Sequence, residues 1–223
     1  PRTSSAASDV YKRQLLIFAG YFAYVPDGFL FMIAGGLGGF IVAIITVIKK
    51  TWAPITVPLY AMLEGLLLGS VSYMYGQMFE GIVLNAVILT VSILISLLFV
   101  YKSGLIQVTE NFKLGIAAAT GGILLVYIFS FIGSFFGMSL SFLDPTNGSL
   151  ISIGGSLFIV IIASLNLVLD FDFIEEGAEK GAPKYMEWYG AFGLLVTLVW
   201  LYLEILRLLA KLNSCLLYTS DAA

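Results

Sequence analysis

The sequence predicts an all-α polytopic membrane protein, a bundle of transmembrane helices, and three observations carry that prediction. Hydrophobic residues make up 60% of the 223 and charged residues only 11%, with a mean hydropathy of +1.00. A single soluble core has no room for that much apolar side chain. The apolar residues fall into runs of about 20, the length needed to cross a bilayer core. Charge is concentrated between those runs, above all from Asn166 to Trp188, where Asp170, Asp172, Glu175, Glu176, Glu179 and Glu187 share one corner. That corner is the first candidate for a functional site.

The same composition excludes several function classes. A net charge of -3 with no basic stripe argues against a nucleic-acid partner. A single cysteine, Cys215, excludes an intramolecular disulfide, and the lack of histidine removes the commonest metal ligand and acid/base residue. With no nucleophile and base pair, phosphate loop or metal cluster, the expectation is a non-enzyme without cofactor or metal site. Its first partner is the lipid bilayer.

The two ends differ from the middle. PRTSSAASDVYKRQ (residues 1–14) and the stretch 213–223, which contains Cys215, are polar and resemble translated sequencing-adapter tails. They are expected to be non-native, leaving 15–212 as one transmembrane domain.

Seven segments follow in order. The first, 15–25, is half a span and is read as a truncated helix. The second, 29–48, carries Gly35, Gly36, Gly38 and Gly39, a small-residue face suited to close helix packing, and ends at Lys49 and Lys50. A third, 55–75, has Pro58 near its start and Glu64 within it. The fourth covers 82–101 and the fifth about 114–138, threaded by Gly115, Gly121, Gly122, Gly133 and Gly137. A turn around Asp144, Pro145, Asn147 and Gly148 leads to the sixth, 151–169, and the seventh covers 188–209.

Seven crossings put the connections that hold Lys49, Lys50, Lys102, Lys113, Lys180 and Lys184 on one side. The opposite loops hold no lysine or arginine, only Asp27, Glu80 and Asp144. The positive-inside rule makes the lysine side cytoplasmic, with the N-terminus inside and the C-terminus outside. Arg207 and Lys211, placed toward the outer side, count against this.

Ionisable groups within a span are costly, so each requires a partner or a task. Glu64 has no charged neighbour for many positions and is either a neutral carboxyl bonded between helices or part of an ion or proton path. Asp170 and Asp172 are expected at the end of the sixth helix, where the helix dipole disfavours their charge. They are a solvated terminus or a functional pair; about 200° apart around the axis, they point to different faces, with Asp170 the deeper. Glu204 and Arg207 can pair along the seventh helix. Glu204 lies about 26 Å beyond Glu187 on that helix, which argues against contact with Asp170. Glu175, Glu176, Glu179, Lys180 and Lys184 read as a solvated loop whose spacing is not that of an EF-hand. Asn166 and Thr197 read as polar packing groups.

The stretches YAMLEGLLLGSVS (60–72), GIVLNAVILT (81–90), QVTENFKLGI (107–116) and the long block 164–212 resemble the Bax inhibitor family, the transmembrane Bax inhibitor motif proteins, and in particular their bacterial YccA-like branch. The resemblance implies six helices around a central, C-terminal seventh and a pH-gated cation path, chiefly a calcium leak, in a bacterial inner membrane. It also implies two proton-sharing aspartates, one ending the sixth helix and one in the seventh. The first matches Asp170, with Asp172 second. The second falls on Thr197 or Glu204 according to the alignment, and depth favours Thr197, which does not titrate. Glu64 is then the substitute partner for Asp170. Two other functions stay open: a non-conducting regulator that binds a membrane protease or another membrane protein, and proton-coupled transport.

Overall fold

A computed structural model of the chain describes residues 28–137 and 140–220. Among these residues the regular structure is helical: α1 (Gly28–Ile48), α2 (Ala53–Met78), α3 (Ile82–Lys102), α4 (Glu110–Phe135), α5 (Leu150–Glu179) and α6 (Tyr185–Ser220). Two single turns of 3-10 helix, Lys50–Trp52 and Ser141–Leu143, precede α2 and α5. All six helices are long and apolar enough to cross a membrane. The half-span at 15–25 and the tail at 1–14 lie outside the described residues, as do 221–223.

Local chemistry sets the helix ends. Thr109 caps α4 by accepting a hydrogen bond from the Phe112 N–H at 3.2 Å. Before α5, Asp144 Oδ1 accepts from the Thr146 N–H and hydroxyl, Asn147 Oδ1 from Ser149 N–H, and Ser149 Oγ from Ser152 N–H. The bonds to Asp144 and Asn147 are side-chain turns in the loop, and the Ser149 bond satisfies a backbone donor that the start of α5 leaves without a partner. Pro58 lies inside α2, in its second turn.

One expectation is corrected at α5. The sixth span was expected to end near Leu169, yet the helix runs on to Glu179 and takes in Asp170, Asp172, Glu175, Glu176 and Glu179. Its stop is Gly181, at φ +63°, where Ala182 N–H bonds to Gly177 O and Gly181 N–H to Ala178 O. That is a Schellman motif, with Pro183 just beyond it. Hydropathy ends a span where lipid ends; hydrogen bonding ends a helix where the backbone turns left-handed. The solvated loop is thereby reduced to Lys180–Lys184, and the two aspartates are interior to the helix.

The described chain forms two compact units. The first runs to Glu80 and takes up Asp172–Val199; the second comprises Gly81–Phe171 and Trp200 onward. In the first, Val42, Ala53, Val57, Tyr60 and Phe192 form a buried core, with the Tyr60 and Phe192 rings edge-to-face at 5.0 Å. Gly190 leaves the space that the Ile174 side chain enters. In the second, Ile123, Ile159 and Ile162 pack together with Ala119, Tyr127, Phe142 and Trp200 around them. Asn166 acts there as interhelical glue, donating to Thr120 Oγ1 at 2.8 Å.

Candidate functional site

The first unit is built on an antiparallel seam between α1 and α2. Thr46 Oγ donates to Thr56 Oγ at 2.8 Å at one end of it. Val42 and Tyr60 share the core one turn further along, and Gly39 then faces Glu64. At Gly35 the backbones meet: a Cβ there would lie 2.6 Å from Leu63 O and 2.7 Å from Leu67 N. Gly35 and Gly39 thus form a G-x-x-x-G face, and their missing side chains are what allow the helices so close.

Glu64 occupies the space that Gly39 leaves. It is 7% exposed, the Tyr60 hydroxyl one turn back donates to it, and its Oε2 is buried without a hydrogen-bond partner. A buried ionised carboxylate lacking full hydrogen bonding is expensive, so this geometry suits the neutral acid. The seam therefore holds a buried carboxyl between two closely packed helices.

The other expected site residues are distributed between the units. Asp170 belongs to the second and Asp172 to the first, and both are half-buried. α5 continues for about two turns or more beyond them, so the helix-end dipole, which acts within the last turn, is not what sets their energy. Thr197 is buried in the first unit. The expected substitute pair, Glu64 with Asp170, has one member in each unit.

Glu204 forms its expected pair with Arg207, at 2.8 and 3.0 Å to the two carboxylate oxygens. The pair is largely buried: Glu204 is 2% exposed, and Tyr127 of α4 donates to its Oε1 at 2.6 Å. Arg207 also reaches the Tyr127 hydroxyl and lies over its ring, 5.6 Å from the centroid. Both carboxylate oxygens thus have hydrogen-bond donors.

At Lys211, in sequence simply an outer-side charge, the structure adds a site. It is fully buried, and its Nζ donates to Phe142 O at 2.6 Å, Ser156 Oγ at 2.8 Å and Ser152 O at 3.3 Å. One signal for it was present in the sequence: Glu204, Arg207 and Lys211 recur at steps of three and four, one stripe of an otherwise apolar helix. Glu175 and Glu176 are exposed, with Lys180 bonded to Glu176 on the helix surface. Among the described residues no group of three or more acidic or cysteine side chains is placed to hold a metal ion.

The family model described as Bax inhibitor 1 like matches residues 13–214 of this chain. No curated protein and no solved structure matches it.

Proposed function

Because the chain belongs to the Bax inhibitor 1 like family, we propose that it is a pH-sensitive cation leak, with calcium as the permeant ion, serving ion homeostasis in a bacterial inner membrane. The observation that carries this is Glu64. A lone carboxyl seated under Gly39, with one oxygen unpartnered, is a proton-dependent contact between two membrane-length helices. Ionisation adds the cost of a buried charge to the closed seam, so proton loss favours any arrangement in which water reaches the carboxylate. Asp170 and Asp172 are kept as separate acidic candidates, each within its own unit. Glu204, committed to Arg207 and Tyr127, is assigned to structure.

The lysine-bearing connections are assigned to the cytoplasm, with the N-terminus inside and the C-terminus outside. The two cations that counted against this orientation, Arg207 and Lys211, lie within α6 and not in a connecting loop.

The test is calcium flux into proteoliposomes over a pH series, for the natural chain and for Glu64→Gln, which keeps the shape of the neutral acid. The expected result is pH-dependent flux that loses its pH dependence in the variant. An unchanged profile removes Glu64 from the mechanism. Absence of flux together with a co-purifying membrane protein replaces the leak with a non-conducting regulator.

A further inference from the structure

We propose that Phe142 O, Ser152 O and Ser156 Oγ form a binding site for a monovalent cation, and that the Lys211 ammonium occupies it as a tethered ion. An ammonium has three N–H donors, and each here has its own oxygen, at 2.6, 3.3 and 2.8 Å. The Phe142 ring adds a cation–π contact, its centroid 5.2 Å from Nζ. Carbonyl and hydroxyl oxygens gathered around one positive charge are the ligand set that replaces the hydration shell of a potassium-sized ion. All three ligands are neutral, so the site matches a single charge; a divalent ion binds through carboxylates.

The site is held by the fold as well as by the lysine. Ser152 Oγ donates to Phe142 O at 3.2 Å, fixing one ligand by another residue of the cage. The Phe142 ring lies against Gly155, where a Cβ would overlap it, so the loop segment Ser141–Leu143 is seated on α5. The charged groups that act on Lys211 from farther off are Arg207 and Glu204 on its own helix and Asp144 on the loop. Glu204 is occupied by Arg207, and Asp144 is exposed and bonded to Thr146. The local countercharge thus comes from dipoles, as it does for a bound ion. While Lys211 is seated, the same oxygens are closed to free cations.

Substituting Lys211→Ala removes the tethered ion and its stem, leaving the oxygens and a channel-shaped void. The full chain is purified in detergent, and its thermal midpoint is measured at equal ionic strength in choline, potassium, ammonium and ethylammonium chloride. The natural chain is expected to be indifferent to the cation. Lys211→Ala is expected to be destabilised in choline and raised by about 3 °C or more by ethylammonium or potassium at saturating concentration. Lys211→Met, which refills the stem volume, should show no such recovery. A Lys211→Ala midpoint independent of the cation overturns the proposal, as does an equal response in Lys211→Met. Failure of Lys211→Ala to fold in every cation, ethylammonium included, while Lys211→Met folds overturns it too. Should neither variant fold, Ser156→Ala with the lysine retained is decisive: hydrogen exchange of amides 140–148 should accelerate several-fold, and unchanged exchange overturns the cage.

Discussion

Gly39 and Glu64 oppose each other across the α1–α2 seam so closely that a Cβ on the glycine would stand 2.8 Å from Glu64 Oε1. One turn away, at Gly35, the corresponding atom would meet backbone instead of side chain. Two glycines on one face therefore do different jobs: Gly35 sets the distance between the helices, and Gly39 makes room for the acid.

Gly35→Ala is accordingly expected to destabilise the protein by on the order of 2 kcal/mol, because backbone cannot swing aside. Gly39→Ala should cost less, since the carboxyl is the far end of a flexible side chain. Combining Gly39→Ala with Glu64→Ala should recover part of that loss, a coupling expected of groups in contact. Denaturation midpoints in detergent check both statements; equal costs for the two glycines would contradict the seam geometry.

Removing the cation from the Tyr127–Glu204–Arg207 cluster should be harsher. Arg207→Met leaves a buried carboxylate with only a tyrosine hydroxyl, a loss of on the order of 3 kcal/mol. Glu204→Gln in the same chain should restore part of the stability by removing the unpaired charge. If the double variant is no more stable than Arg207→Met, the cost lies in lost packing of the arginine stem.

Asp144 supplies a pH dependence outside the membrane spans. The Thr146 hydroxyl and N–H hydrogen bonds hold its carboxyl below the usual carboxylate range. A folded-state pKa below the unfolded one contributes stability above the unfolded value, and that contribution is lost as pH falls through the folded value. Protection of the Thr146 amide should therefore persist at neutral pH and decline only under strongly acidic conditions. Asp144→Asn should flatten that acid response, as seen by hydrogen exchange.

The Glu176–Lys180 pair is the contrasting case. Both side chains are largely exposed on the surface of α5. Glu176→Gln should change stability by under about 0.5 kcal/mol, the range of exposed i,i+4 pairs, and raising the salt concentration should erase even that. A larger effect would show that the last turns of α5 carry contacts beyond this pair.

Hydropathy along the chain already fixes the class of the fold and the approximate positions of the six described spans. Hydropathy reports where side chains must avoid water, and avoidance of water is a property of each segment alone. It also marked Glu64, whose isolation in an apolar run already demanded an explanation, and the α1 glycines, whose spacing placed them on one face. The stop of α5 is encoded in Gly181 and Pro183, whose backbone geometry outweighs the polarity of the acidic residues before them. How each buried charge is satisfied emerges only when the helices are packed together. Lys211 and Glu204 look like helix-end charges until α4, α5 and the Phe142 loop bring Tyr127, Ser152 and Ser156 to them from 55 to 77 positions away in the chain. The energy of a buried charge depends on the oxygens and N–H groups within about 3 Å of it, and no local pattern lists neighbours that arrive from another helix.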